Sequence, residues 1–364
     1  MEDPKTRLNK IIKTVAAEYS EDYKKIINDG EITVDGKTVE FEVKQFGVKP
    51  AEGYALFIGL APKGETKADG LKQYQAFTNN YKMPEGSIWL SMKAPGQQSG
   101  LWHESYVDDL LIKLISCFNT NALTNPNRVY LCGYTDGGDG VYKLAPRLAS
   151  CFAAAGVMGG HPNKATLEGL RNLPFSIQCG KNDNTFYRNK VNKEYADQLN
   201  ELKKRDPGGY DNFCKFHHTG HRMMLKENKV FPWMATHTRQ PYPDFIVWKQ
   251  DAKRLHTSLY YLKVNEAEPG SLVTCLREGN SFFIESKDVK SIQLFFNDYF
   301  VDLDQEIFIT FNKLKVFSGK LERDWSLVRK TFSERLDPHY SFYATVTVEK
   351  PEPKVEKKGL FSSK

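Results

Sequence analysis

VYLCGYTDGGDGVYKLAPRLASCFAAAGVMGGHPN, Val129–Asn163, is the stretch on which the reading of this 364-residue chain turns. It opens on a short apolar run, Val129–Gly133, with the character of a strand buried on both faces. Glycines at 137, 138 and 140 then make a tight turn, and a helix pattern begins at about Gly138. A second strand-like run, FAAAGVM (Phe152–Met158), follows one helix length later. Strand, glycine turn, helix and strand form the grammar of a parallel βαβ unit.

Working outward, the same grammar repeats. Upstream, YALFIGLA (Tyr54–Ala61) and SIWLSMKA (Ser87–Ala94) are continuous apolar strands, and a helix pattern covers Tyr106–Phe118. Downstream come LPFSIQCG (Leu173–Gly180), a helix near Asn189–Lys204, and NFCKFHHTG (Asn212–Gly220). Residues 47–240 therefore read as an α/β domain: a doubly wound, mostly parallel sheet.

The flanks read differently. Leu8, Ile11, Ile12, Val15, Ala16, Tyr19, Tyr23 and Ile26 recur at helical spacing. They predict an amphipathic helix over 5–28 with one face packed on the domain. EITVDGKTVEFEV (Glu31–Val43) gives two alternating strands around Asp35-Gly36, a hairpin signal, so 1–46 is read as helix plus hairpin. After about Pro241 the strands turn aromatic and β-branched with short polar turns. Chain reversals are expected at Glu278-Gly279-Asn280 and at Asn297-Asp298, and a helix near Asp324–Arg335 precedes a last strand. Residues 241–349 thus predict an appended small antiparallel β module. Residues 350–364, charged and proline-containing, are expected to be disordered.

The bulk numbers narrow the function classes. Fifty-one basic against 45 acidic residues leave a mild +6, without a basic stripe interleaved with aromatics. No nucleic-acid partner is expected. No apolar run is long enough to span a bilayer, and the start, MEDPKTRLNK, lacks the apolar region of a secretory signal. No membrane partner is expected. Six scattered cysteines without a C-x-x-C pair fit a reduced chain, so the expected location is cytoplasmic. His103, His161, His217 and His218 lack metal-ligand spacing with carboxylates or cysteines, so neither a metal nor a cofactor is expected.

Gly133-Tyr134-Thr135-Asp136-Gly137, set between a strand and a helix, resembles the nucleophile elbow of the α/β-hydrolase superfamily. The longer string resembles that superfamily's carboxylesterase- and depolymerase-like serine hydrolase branch. There the place commonly reads G-Y-S-A-G-G-D-G-V-Y, followed by L-A-P-R and H-P-N. LRNLPFSIQCGKNDNTFYRNKV (Leu170–Val191) is similar to the branch's acid loop and HHTGHRMM (His217–Met224) to its histidine loop. PWMATHTRQPYPDFIVWKQD (Pro232–Asp251) and YYLKV (Tyr260–Val264) match it too. The resemblance implies Thr135 at the nucleophile place, Asp183 as acid and His221 as base, in the chain order of that fold. It implies that His161 holds a loop. It also implies oxyanion donors at Asp136 and near Ala61. From the residues alone, Asn182-Asp183-Asn184 also reads as a turn before a helix, and His221 as a core histidine.

Three departures weigh against acyl transfer. The nucleophile place holds a β-branched threonine where the backbone takes positive φ. Asp136 follows it, a carboxylate beside a developing negative charge. After the first apolar strand the branch reads His-Gly-Gly, whereas this chain reads Ala61-Pro62-Lys63-Gly64, and proline has no N–H to give. The expected function is a catalytically dead or impaired hydrolase homologue acting as a binding or structural protein. The alternative is an active ester or amide hydrolase using Thr135, His221 and Asp183. A third possibility is proton transfer by His221 and Asp183 without a covalent intermediate. The partner is an unidentified protein or a small-molecule acyl substrate.

Overall fold

The structure, a computed structural model, describes residues 2–96, 101–251 and 254–352. From residue 353 on, the expected disordered tail lies outside the described residues. The first helix, α1 (Pro4–Asp29), starts with Asp3 accepting the Thr6 amide and ends at Gly30, whose amide donates to the Ile26 carbonyl. Strands β1 (Glu31–Val34) and β2 (Lys37–Phe46) form the hairpin expected around Asp35-Gly36. Next come β3 (Tyr54–Leu60), α2 (Lys67–Asn80) and β4 (Ser87–Met92). They are followed by α3 (Tyr106–Thr120), β5 (Thr124–Tyr134), α4 (Asp136–Arg147) and β6 (Ala154–Met158). Then β7 (Phe175–Gly180), α5 (Arg188–Arg205), β8 (Asn212–His217) and the short α6 (Val230–Ala235) complete the α/β part.

These strands make one eight-stranded sheet in the order β1-β2-β4-β3-β5-β6-β7-β8. The six strands from β4 to β8 run parallel. The hairpin is not a separate unit: β2 pairs antiparallel with β4 from Phe41↔Met92 to Phe46↔Ser87 and so extends the sheet. Alternation along β3 shows both faces covered. Leu56, Ile58 and Leu60 enter the core shared with α3, α4 and α5, while Ala55 and Phe57 pack with α2 and α6. Burial on both faces is why β3, β4 and β6 read as unbroken apolar runs rather than alternating ones.

Beyond Pro241 lie β9 (Phe245–Lys249), β10 (Ser258–Leu259), β11 (Leu262–Val264), β12 (Leu272–Glu278) and β13 (Ser281–Ser286). They continue as β14 (Ser291–Phe296), β15 (Ile307–Phe311), β16 (Leu314–Gly319), α7 (Ser326–Ser333) and β17 (Ala344–Glu349). The strands divide into two sheets, β10-β11-β14-β17 and β16-β15-β13-β12-β9. All pairs are antiparallel except β13 with β15, which run parallel. Gly279, at φ 59, makes the expected reversal between β12 and β13. The hairpin expected at Asn297-Asp298 does not form, because β14 and β15 belong to different sheets. Asn297 is instead fully buried at the crossover, its amide donating to the Tyr242 hydroxyl (2.9 Å) and the Ser341 carbonyl (3.0 Å).

The β module is locked to the α/β part. Val15 of α1 packs with Phe332 and Leu336, and the Arg7 guanidinium lies 4.6 Å over the Trp325 ring. Arg239 joins the two parts from inside, donating to the Ser150 carbonyl (2.8 Å) and to Asp337 (2.5 Å).

Candidate active site

Between β5 and α4 the chain makes a tight strand–turn–helix corner. Thr135, between β5 and α4, sits at φ 49, ψ −110. For a β-branched side chain that backbone is strained by about 1–3 kcal/mol. The surroundings over-determine it: the Thr135 amide donates to the Met158 carbonyl, and its carbonyl accepts from the Asp139 amide, both at 2.9 Å. Two glycines allow the tight approach. A Cβ on Gly137 would stand 1.9 Å from the Leu60 carbonyl oxygen, and one on Gly133 would stand 2.3 Å from Gly137 itself. The first turn of α4 is therefore pressed against the end of β3.

Acid and base come from two loops joined edge to edge. The Lys181 amide donates to the His217 carbonyl (2.7 Å) and the Asn182 amide to the Thr219 carbonyl (3.0 Å). Across this seam His221 Nδ1 meets Asp183 Oδ2 at 2.7 Å. The Asp183 side chain is fully buried and the His221 side chain is 31% exposed. Among the described residues the other Asp183 oxygen, Oδ1, is buried without a hydrogen-bond partner. A Cβ on Gly159 would lie 3.5 Å from His221 Cε1, so the imidazole rests beside the end of β6. The preceding residue, Met158, is the one that holds the Thr135 amide. The Tyr134 hydroxyl donates to the His221 carbonyl at 2.9 Å and ties the loop to the elbow strand. The structure thus brings Thr135, Asp183 and His221 to one corner at the C-terminal ends of β5, β6 and β7. Among the described residues no hydrogen bond links Thr135 Oγ1 to the His221 ring.

The remaining question is where an oxyanion would find donors. The Ala61 amide donates to the Met92 carbonyl (3.1 Å), continuing the sheet. Pro62 has no amide hydrogen. The Lys63 amide donates to Asp136 Oδ2 at 3.4 Å. Asp136 therefore turns its carboxylate toward the loop after β3 rather than away from the site. The Asp136 amide lies in the first turn of α4, where helix amides lack intrahelical acceptors.

The other histidines have structural partners. Asp139 accepts the His161 amide (2.6 Å) and the Asn163 side-chain amide (3.2 Å), while His161 Nδ1 accepts the Asn163 amide (3.0 Å). His161 thus holds its own loop, and burial raises the Asp139 carboxyl pKa. His217 Nε2 meets Gln178 Oε1 at 2.9 Å. Burial, then Lys226, Lys229 and Lys215, push its pKa down. His218 lies 3.1 Å from Lys181 Nζ, and His103 ends a single 3₁₀ turn, Leu101–His103. Among the described residues no group of three His, Cys, Asp or Glu side chains is placed to hold a metal. Sequence reasoning missed Tyr134 as the strap on the histidine loop. It also missed Glu227, on the 3₁₀ turn that follows that loop, buried and accepting from the Tyr81 hydroxyl at 2.9 Å. The spacing along the chain carries no signal for either contact.

No protein-family model matches the chain, and no curated protein does. Solved structures overlap it at low identity. A thermostable esterase is 18% identical over 59% of this chain, with a TM-score of 0.44. The chain spans 64% of that esterase, less than two thirds of its length. The poly(3-hydroxybutyrate) depolymerase LpqC of Bordetella parapertussis is 10% identical over 58% of this chain and 90% of its own, with a TM-score of 0.43. A ferulic acid esterase is 13% identical over 57% and 96% of the two chains, with a TM-score of 0.40. What gives the chain an α/β-hydrolase fold is its own topology. The strand order is 1-2-4-3-5-6-7-8, the second strand is antiparallel, and the strand–turn–helix elbow follows the fifth.

Proposed function

We propose that this protein is a homologue of esterase-like serine hydrolases whose acyl-transfer chemistry is lost or severely impaired, and that it acts as a binding or structural protein. The observation that carries the reading is the state of the loop after β3. Ala61 spends its amide on Met92, Pro62 has none, and Lys63 gives its own to the Asp136 carboxylate. Loss of one oxyanion donor lowers turnover by about 10²–10³-fold. Here that loss is joined by a carboxylate beside the developing charge, and by a strained threonine in place of serine. Internal threonine lacks the terminal amine that activates the familiar threonine nucleophiles.

The 2.7 Å Asp183–His221 pair favours a second reading, in which some hydrolysis of esters or amides survives through Thr135. In that case His221 takes the hydroxyl proton and Asp183 fixes the ring tautomer. Turnover of p-nitrophenyl acetate and labelling by a fluorophosphonate distinguish the two. The native protein is expected to show neither above background, and a Thr135→Ser/Asp136→Ala variant to gain labelling. Native turnover that disappears in both Thr135→Ala and His221→Ala would overturn the first reading. Turnover lost only in His221→Ala would point instead to proton transfer without a covalent intermediate.

A further inference from the structure

The two loops that supply Asp183 and His221 also present an unusual surface. Phe186 and Tyr187 follow the acid, and Met224 and Leu225 follow the histidine. Their exposures are 70%, 67%, 76% and 43%. All four have positive φ, between 51 and 62. For large apolar side chains this is costly backbone, and here it holds the side chains out in water rather than in the core. Exposed apolar side chains on two loops joined by backbone hydrogen bonds mark a contact surface.

Charge on the same loops is one-sided. Segments 181–190 and 213–229 carry the exposed cations Lys181, Lys190, Lys215, Arg222, Lys226 and Lys229. Their two acids, Asp183 and Glu227, are both buried. The segments adjoin through the backbone bonds Lys181–His217 and Asn182–Thr219. Lys226, Lys229 and Lys215 all lower the His217 pKa, so their charges act on the same ring. Cations also lie over the exposed rings: the Arg188 guanidinium is 5.1 Å from the Phe186 ring centre, and Lys190 Nζ is 5.6 Å from that of Tyr187.

We propose that this rim is a peripheral docking surface for an anionic lipid bilayer. It stands whether or not the corner beside it is catalytic. Exposed apolar side chains on loops that also carry exposed cations suit a lipid surface, where the apolar groups enter the headgroup region and the cations meet acidic lipids. A peptide would instead need a pocket that closes around its own anchors. No helix among the described residues is long and apolar enough to cross a membrane, so the contact is interfacial. The expectation of no membrane partner rested on the lack of a spanning run, and loop tips are a different device.

The experiment is cosedimentation of the full-length protein with phosphatidylcholine vesicles with and without phosphatidylserine. Binding is expected with phosphatidylserine only, and it should weaken as salt rises. Lys226→Glu/Lys229→Glu should weaken it by at least about twentyfold, since each cation near an acidic surface is worth about fivefold. Phe186→Ser/Met224→Ser should also weaken it, with the thermal melt retained in both variants and a Lys37→Glu control on the far hairpin binding as the native protein does. Three results would overturn the proposal: no binding to phosphatidylserine vesicles, binding unchanged in both double variants, or capture by poly-glutamate in preference to vesicles.

Discussion

Asp183 and His221 meet at 2.7 Å across two loops joined by backbone hydrogen bonds, whereas Thr135 and the Ala61–Gly64 loop meet through a carboxylate that takes the Lys63 amide. Both halves belong to one corner, and they are held by different kinds of contact. The acid–base half is built from side chains that also hold the loops together. The elbow half depends on free backbone amides, which a single nearby acceptor or one proline removes without disturbing the fold. Scaffold and chemistry can therefore part company at the elbow more easily than at the acid–base pair.

If the elbow is retained as scaffold, its close-packed glycines should be the most sensitive positions. Gly137→Ala puts a Cβ 1.9 Å from the Leu60 carbonyl oxygen and forces α4 off β3. A loss of about 3 kcal/mol in denaturant unfolding is expected. Gly159→Ala, beside His221, meets only an ordinary 3.5 Å contact at φ 61. It should cost about 1–2 kcal/mol. Equal effects at the two positions would erase the distinction between the halves.

Thr135 supplies a smaller test, of opposite sign. At φ 49, ψ −110 the threonine stores strain that glycine does not feel. Against this, glycine loses more chain entropy on folding. Thr135→Gly is expected to stabilise the protein by about 1 kcal/mol in the same unfolding measurement. A destabilised variant would mean that the hydroxyl has a structural role which outweighs the strain.

How far the sequence could be read follows from the range of each interaction. β3, β4, β5 and β6 announced themselves because burial on both faces leaves continuous apolar runs. The tight turn after β5 was readable because its glycines stand in for backbone contacts that no other residue allows. Helix α2 was not foreseen: KADGLKQYQAFTNN buries only Tyr74, Phe77 and Thr78, too sparse an apolar stripe to stand out. Asn297-Asp298 misled because a polar pair between aromatic runs looks like a hairpin. Only tertiary structure shows that Asn297 faces the buried Tyr242 hydroxyl and Ser341 carbonyl. In the site, Thr135 and Pro62 could be read from residue type alone. The Asp136–Lys63 contact spans 73 positions, and no local pattern encodes which way a carboxylate points.

Glu227, on the turn that follows the histidine loop, gives the most delicate comparison. Its side chain is buried, Oε1 accepts from the Tyr81 hydroxyl, and Oε2 has no partner among the described residues. Burial raises its pKa above the ordinary carboxyl value. The folded state therefore holds the proton more tightly than the unfolded chain does. The stability this contributes is complete below the ordinary glutamate range and is lost as pH rises through the folded value. Glu227→Gln keeps the shape and the acceptor without the charge. The variant should match the native protein in acid and exceed it at neutral pH, with the gap opening as pH rises through the folded pKa. Denaturant unfolding at several pH values reads this directly. A gap that is constant across pH, or one that opens toward acid, would show that Glu227 is held by its ionised form. The turn that follows the histidine loop would then rest on a buried charge.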